Sequence, residues 1–137
     1  MLQEARRVKP PEVPAAVQLT SLASTAADGN REALLHQLAK GTSHEDLRDW
    51  LEMVDAIGEL RVLDGVDAEE NIGRISEMLH HTDGAPAVLF DRIPGYEPGY
   101  RILVNAQGER RRLNVSLGLP VDTGTWELMY AWEKLMD

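Results

Sequence analysis

The sequence predicts an α/β domain in which a small sheet of about three short strands, with at least one parallel βαβ pair, is packed by about four to five helices. Two observations predict this class. Residues 60–63 and 87–90 are short β-favouring runs, and residues 67–79 between them repeat apolar side chains at helical spacing. Two strands joined by such a helix usually lie parallel with a right-handed crossover. This unit is expected to form the centre of the domain.

The helix before the first strand is marked at both ends. Ser43 followed by Asp46 is a capping-box pattern, in which the hydroxyl accepts a backbone amide and the acid reaches back. Gly58 stands where helices commonly end in a left-handed turn. Apolar residues recur at three- and four-residue steps, which predicts one buried stripe. These residues are Leu47, Trp50, Leu51, Val54 and Ile57.

The helix between the two strands carries the same signals. Asp67 with Glu70 predicts a second capping box, and the helix is expected to end before Gly84. Pro86 then precedes the strand at 87–90. The acids in the first turn suit the helix dipole, so a solvated face explains them. The apolar stripe of this helix is Ile72, Ile75, Met78 and Leu79.

Residues 1–29 are predicted to be an N-terminal arm, extended or mobile, that precedes a single domain of residues 30–137. The arm is rich in proline and then in small polar residues, and termini are commonly loose unless they are tied down. It can be a mobile tail, or its apolar residues can lie along a groove on another chain. Those residues are Val13, Val17, Leu19 and Leu22. Asn30 is expected to cap a helix through Lys40.

The chain after the second strand continues with a loop, a strand and a helix. Residues 91–99 hold two Pro-Gly pairs, which predict turns. Residues 100–104 predict a third strand. The helix that follows is expected to end at Gly118, because Pro120 cannot continue it.

The last helix has more apolar surface than an exposed terminus needs. Asp122 or Thr123 is expected to cap it. Apolar residues occupy most of its circumference, and exposed apolar patches commonly mark interfaces. We therefore predict a partner interface at Trp126, Met129, Trp132 and Leu135.

Composition narrows the class of function. The 137 residues form one domain, and 23 acidic against 14 basic residues give a net charge of −9. This charge argues against nucleic-acid or anionic-membrane partners, which attract positive charge. The chain has no cysteine, which excludes disulfides and thiolate chemistry. We found neither a membrane-spanning run nor a signal-peptide pattern, so we expect a cytoplasmic protein.

The histidines do not predict a metal site. His80 and His81 with Asp83 come nearest, but adjacent helical residues point about 100° apart and cannot chelate as an i, i+4 pair can. Phosphate-binding glycine loops and nucleophile motifs are also missing from the sequence. We predict no catalytic, cofactor-binding or metal-binding residue in this chain.

One basic patch stands out in this acidic sequence. It consists of Arg110, Arg111 and Arg112. These guanidinium groups can hold a phosphate or a partner's carboxylate through a bidentate fork. Salt bridges to neighbouring acids are the other role, and the commoner one for such residues.

An ordered series of short motifs resembles the N-terminal domain of the UbiD family. These enzymes are prenylated-flavin-dependent reversible (de)carboxylases of aromatic and unsaturated acids. The motifs are DLRDWL at 46–51, GEL at 58–60, GAPAVLF at 84–90, IPGY at 93–96 and LGLP at 117–120. The match runs from about residue 46 to the end, roughly two-thirds of the chain. Pro94 departs from the family's usual Lys, and the arm before Thr42 is longer than the family's normal start.

The resemblance implies a role beside the chemistry. In these enzymes a central domain supplies the flavin and metal ligands, and this sequence ends where that domain is expected to begin. The resemblance therefore implies prenylated FMN and a divalent metal in a larger UbiD-like catalytic subunit, with neither bound by this chain alone. It also implies that the chain packs against that subunit and helps to shape its substrate cleft. We do not expect it to be active alone.

Two functions remain open from the sequence. The first is a small non-catalytic subunit, or separated N-terminal domain, of a UbiD-like (de)carboxylase acting on an aromatic or unsaturated carboxylic acid. The second is a self-associating binding or regulatory module that reuses the fold with no carboxylase partner, because a fold does not fix a function.

Overall fold

The computed structural model describes residues 18–20 and 28–136, which form five helices around one four-stranded sheet. The strands are β1 (Gln18–Thr20), β2 (Leu60–Asp64), β3 (Ala87–Asp91) and β4 (Ile102–Val104). The helices are α1 (Asp28–Lys40), α2 (Leu47–Ala56), α3 (Asn71–His80), α4 (Arg110–Ser116) and α5 (Thr125–Met136). The predicted α/β class is confirmed.

The sheet is built around the predicted parallel pair. β2 and β3 run parallel, with Leu60 opposite Ala87 and Asp64 opposite Asp91, and α3 connects them. β4 pairs antiparallel with the other edge of β3. β1 pairs antiparallel with β2, so a segment of the predicted arm supplies a strand beyond the three that the sequence predicted.

The structure describes only a short part of the predicted arm. Residues 1–17 and 21–27 lie outside the described residues, and so do Val13, Val17 and Leu22. The prediction of an extended or mobile arm there stays a prediction. Helix α1 begins at Asp28, two residues before the cap predicted at Asn30.

Each face of the sheet carries its own hydrophobic cluster. In β3, Ala87 and Leu89 pack with the cluster that includes α2, while Val88 and Phe90 pack with the cluster that includes α3. All four side chains are buried. Because β3 is covered on both faces, its sequence is a continuous apolar run rather than an alternating one.

The start of α2 differs from the prediction. Its N-cap is Asp46, whose carboxylate accepts the amides of Arg48 at 2.7 Å and Asp49 at 3.1 Å. The carboxylate of Asp49 reaches back to the amide of Glu45. The capping interactions therefore lie three residues after Ser43, because the helix begins only at Leu47.

The starts of α3 and α5 also shift. Asp67 accepts the amide of Glu70 but caps a turn that precedes α3, and Glu70 itself makes no capping bond. In α5 the amide of Leu128 donates to the carbonyl of Gly124, the bond that defines an N-cap. Neither Asp122 nor Thr123 is therefore at the capping position. The predicted helix ends at Gly58 and Gly118 hold, since both glycines have positive φ, 79° and 68°.

Two residues of the predicted apolar stripes are exposed, and Ile57 and Ile75 are half-buried. Leu47 in α2 and Met78 in α3 are both more than half exposed. Leu47 is the first residue of α2, and Met78 lies at the edge of the apolar stripe of α3. Trp50, Leu51 and Val54 in α2 and Ile72 and Leu79 in α3 are buried as predicted.

We predict that Asp46→Ala lowers the urea midpoint of unfolding at neutral pH, whereas Ser43→Ala leaves it unchanged. The amides of Asp49 and then Arg48 hold the pKa of Asp46 below its ordinary value of 3.8. A carboxyl whose pKa is lowered on folding stabilises the folded state above its unfolded pKa, and this contribution is lost as the pH falls through the folded pKa. The difference between wild type and Asp46→Ala should therefore shrink below about pH 4. An equal effect of Ser43→Ala would contradict the assignment of the cap.

Candidate partner interface

The three consecutive arginines of α4 do not form one basic patch. Arg110 is exposed, Arg111 is partly exposed and Arg112 is fully buried. A helix separates adjacent side chains by about 100°, so the triplet points in three directions. The predicted binding of an anion or a partner can involve only Arg110 and Arg111, because Arg112 cannot be reached from the surface.

Arg112 ties α4 to three other parts of the domain. Its guanidinium donates to Glu59 Oε2 at 3.0 Å, to the carbonyl of Ala85 at 2.9 Å and to the carbonyl of Ala106 at 3.2 Å. Glu59 precedes β2, Ala85 precedes β3 and Ala106 follows β4. The buried cation therefore has an anion and two carbonyl oxygens as partners, which a buried charge requires.

Glu59 binds the second arginine as well. Its other oxygen, Oε1, accepts from Arg111 Nη1 at 2.8 Å, and Arg111 also reaches Asp122 Oδ1 at 3.2 Å. The structure thus gives Arg111 and Arg112 the salt bridges to neighbouring acids that the sequence allowed as an alternative. Glu59 was visible in the sequence only as the middle residue of the GEL motif, with nothing to indicate its partners.

Helix α4 also holds the segment that leads into α5. Asn114 is fully buried, and its side-chain nitrogen Nδ2 donates to the carbonyls of Val121 and Thr123 at 2.9 and 3.0 Å. Arg110 donates to the same carbonyl of Thr123. These bonds fix the start of α5 to the domain. The role of Asn114 was not predictable from the sequence, because a lone Asn in a helix gives no signal of a buried partner.

The body of α5 is scarcely covered. Leu128 is its one buried residue among Thr125–Met136, although the side chain of Ala131 is partly covered. The four residues of the predicted interface have exposed fractions of 80% for Trp126, 57% for Met129, 49% for Trp132 and 67% for Leu135. Tyr130 and Met136 extend this surface and are also exposed. We call the six residues the α5 face.

Among the described helices, only α5 carries more than one exposed large apolar side chain. Other exposed large apolar side chains, such as Leu47 and Met78, lie singly on different helices. Isolated exposed apolar residues are normal, whereas contiguous patches commonly mark interfaces. The four residues of the predicted interface are therefore exposed, and their use as an interface stays a prediction.

The described residues do not form a metal centre. No group of three or more His, Asp or Glu side chains within them can hold an ion. His81 contacts Glu77 at 3.0 Å, as an exposed i, i+4 pair on α3. Among the helices that the structure describes, none is long and apolar enough to cross a bilayer.

Comparison with known proteins identifies relatives of the domain. The family model of the 3-octaprenyl-4-hydroxybenzoate carboxy-lyase N-terminal domain (UbiD_N) matches residues 51–132, more than half of the chain. A phenolic acid decarboxylase of Escherichia coli O157:H7 is 35% identical over 81 residues. The match spans 58% of this chain and only 17% of that enzyme.

Solved structures of a decarboxylase also resemble this domain. The vanillic acid decarboxylase of Sedimentibacter hydroxybenzoicus (ShVdcCD) matches in its open form with a TM-score of 0.59 and in its closed form with 0.57, at 28% identity. Each match covers 65% of this chain and 19% of the matched chain. The chain thus spans less than a fifth of the length of these relatives.

We predict that Arg112→Met lowers the free energy of unfolding by about 3–5 kcal/mol, because it breaks a buried ion pair and leaves Glu59 Oε2 and the carbonyl of Ala106 without the donor that Arg112 supplies. Arg110→Met, in the same helix, should cost no more than about 1 kcal/mol, since an exposed side chain loses one bond to a carbonyl. Urea unfolding followed by circular dichroism measures both. Equal losses in the two variants would show that Arg112 does not hold α4 in place.

Proposed function

The chain belongs to the UbiD family through its N-terminal domain, and from this premise we propose that it is a non-catalytic subunit, or separated N-terminal domain, of a UbiD-like (de)carboxylase. In this proposal it packs against a larger catalytic chain and helps to shape that chain's substrate cleft. The observation that carries the proposal is the α5 face, with Trp126, Met129, Trp132 and Leu135 exposed on a helix that has one buried residue.

The composition of the α5 face suits a stable protein contact. Trp and Tyr are enriched among residues that contribute most to binding, and Met adapts to irregular surfaces. An amphipathic helix that lays such residues into an apolar groove is a common recognition mode. Each Å² of apolar surface that it buries contributes roughly 25 cal/mol before the cost of association is subtracted.

The way α5 is attached supports the same role. Asn114 and Arg110 fix the segment before α5, so the α5 face does not have to be ordered at the moment of binding. A preorganised surface loses less conformational entropy on association. The domain therefore fixes the start of the helix and leaves the apolar side chains of its body open to a partner.

We assign the cofactors to the catalytic chain. The described residues offer neither a metal-holding group of acids and histidines nor a glycine-rich phosphate loop. When bound in the partner, prenylated FMN and a divalent metal would supply the carboxylation and decarboxylation chemistry. This chain would contribute a wall of the cleft and exclude water from it.

The relatives support an aromatic or unsaturated carboxylic acid as substrate. Those compared are decarboxylases of phenolic acid and vanillic acid, both aromatic acids. The solved relative is a two-component protein, ShVdcCD, which agrees with a partner chain for this domain. Because this chain spans under a fifth of those enzymes, the substrate, the partner and the activity are all part of the proposal.

A self-associating module is the second candidate function. The α5 face is the observation that also favours it, because two copies can cover their faces against each other. The two candidates differ in the protein found opposite the face. One requires a larger, flavin-bearing chain and the other requires a second copy of this chain.

We predict that Trp126→Ser with Trp132→Ser abolishes association and leaves the domain folded, since both side chains are exposed and neither supports the core. Leu47→Ser with Met78→Ser is the matched control, because it removes equally exposed apolar residues from other helices. Native purification of the tagged chain, with intact mass and an absorbance spectrum, measures the outcome.

The outcomes separate the candidates. A larger UbiD-family chain at fixed stoichiometry with flavin absorbance, retained by the control and lost by the tryptophan variant, supports the subunit. A colourless homodimer that the tryptophan variant disrupts supports the self-associating module instead. Association that survives both replacements excludes the α5 face as the interface.

A further inference from the structure

A shallow, mostly apolar pocket of about 200 Å³ lies beyond the carboxyl ends of β2 and β3. Its lining residues follow these two strands or lie where the next loop enters β4, and they are Ala68, Ile93, Tyr96, Tyr100, Arg101 and Ile102. None of them belongs to α5, so the pocket is separate from the α5 face.

The walls of the pocket suit a proline-rich segment of polypeptide. Ile93 is buried, whereas Tyr96 and Tyr100 are each more than half exposed. Grooves lined by aromatic rings bind segments in the polyproline II conformation, which is formed in advance and therefore loses little entropy on binding. Such a segment has no internal hydrogen bonds, so its carbonyls can accept from tyrosine hydroxyls. The pocket is smaller than the range of about 300–1,000 Å³ that holds drug-sized ligands.

The loop that carries the tyrosines is held by its own turns. The amide of Tyr96 donates to the carbonyl of Ile93, and the amide of Tyr100 donates to the carbonyl of Glu97. Each turn contains a proline followed by a glycine of positive φ, at Pro94-Gly95 and Pro98-Gly99. The two rings are therefore carried on a loop whose path is set before anything binds.

The sequence of this chain contains a segment of the matching kind. Pro11-Glu12-Val13-Pro14 has the P-x-x-P spacing that aromatic grooves recognise, and Pro10 precedes it directly. The segment lies outside the described residues, and three residues separate it from β1.

The register of the sheet directs the arm toward the pocket. β1 is antiparallel to β2 with Gln18 opposite Asp64, and Asp64 is opposite Asp91 in β3. Phe90 is opposite Ile102, the first residue of β4. The chain before Gln18 therefore meets the sheet at the carboxyl ends of β2 and β3, which is the end where the pocket lies.

The distances allow the segment to reach the pocket within one chain. Neighbouring strands lie about 4.8 Å apart, so the three intervals from β1 to β4 span about 14 Å. A polyproline II segment rises about 3.1 Å per residue, which places Pro14 about 12 Å and Pro11 about 22 Å along the chain from Gln18. Because the tether is short, the effective concentration of the segment at the pocket is on the order of millimolar.

We propose that residues 10–14 dock in the polyproline II conformation into the pocket of their own chain. Proline rings pack against Tyr96 and Tyr100 above Ile93. β1 pairs with β2 through three residues, and the docked segment gives the arm a second attachment to the domain. The inference goes beyond the proposed function and requires no partner subunit.

The test is paramagnetic broadening of amide resonances in the full chain. The sequence has no cysteine, so Val8→Cys provides a unique site for a nitroxide beside the P-x-x-P segment. Pro11→Ala with Pro14→Ala is the test variant in the arm, and Tyr96→Ala with Tyr100→Ala is the test variant in the pocket. Tyr130→Ala, which removes an exposed tyrosine of α5, is the matched control. Circular dichroism checks that each variant is folded.

We expect the nitroxide to broaden the amides of residues 93–102 in the wild-type background and equally in Tyr130→Ala. Both double variants should lose most of this broadening, because each removes one side of the contact between proline and tyrosine rings. The sample with the nitroxide chemically reduced is the reference without broadening.

A mixed sample separates contact within one chain from contact between copies. It combines nitroxide-bearing chains without isotope label and isotope-labelled chains without nitroxide. We expect no broadening of residues 93–102 in this mixture. Broadening there would overturn the proposal in favour of docking onto a second copy. Absent broadening in the single-chain sample, or equal broadening in either double variant, would also overturn it. None of these results bears on the α5 face.

Discussion

The position of α4 depends on a fully buried cation. Arg112 donates from the helix to Glu59 before β2, to Ala85 before β3 and to Ala106 after β4. A buried carbonyl without a donor is costly, and one guanidinium satisfies two of them together with the carboxylate. Such a pair is not the most stabilising filling for a core. Its consequence is geometric, because it sets where one helix sits against three separate segments.

Two parts of the described domain are open to solvent. On one side, Asn114 and Arg110 fix the start of α5, and the helix then leaves the core with a single buried residue. On the other, the carboxyl ends of β2 and β3 leave room for a small pocket bounded by the loop into β4.

Local patterns predicted some features of this structure and missed others for definable reasons. The helix ends at Gly58 and Gly118 were predictable, because positive φ is a local demand that glycine meets. The residues that cap the starts of the helices were less predictable. Acids and hydroxyls crowd the region before α2, and only the three-dimensional path of the chain selects Asp46 over Ser43. The arginine triplet looked like one patch in sequence, yet helical geometry sends its members to three environments.

The sequence by itself determined the α/β class, the parallel pair, the apolar face of the last helix and the resemblance to the UbiD family. These features rest on periodicity and on short motifs, which are properties of neighbouring residues. Only the tertiary structure decided that β1 joins the sheet and that Glu59 pairs with Arg112. These features join residues far apart in the chain. Their partners are chosen by packing and by the need to satisfy buried polar groups, neither of which leaves a local pattern.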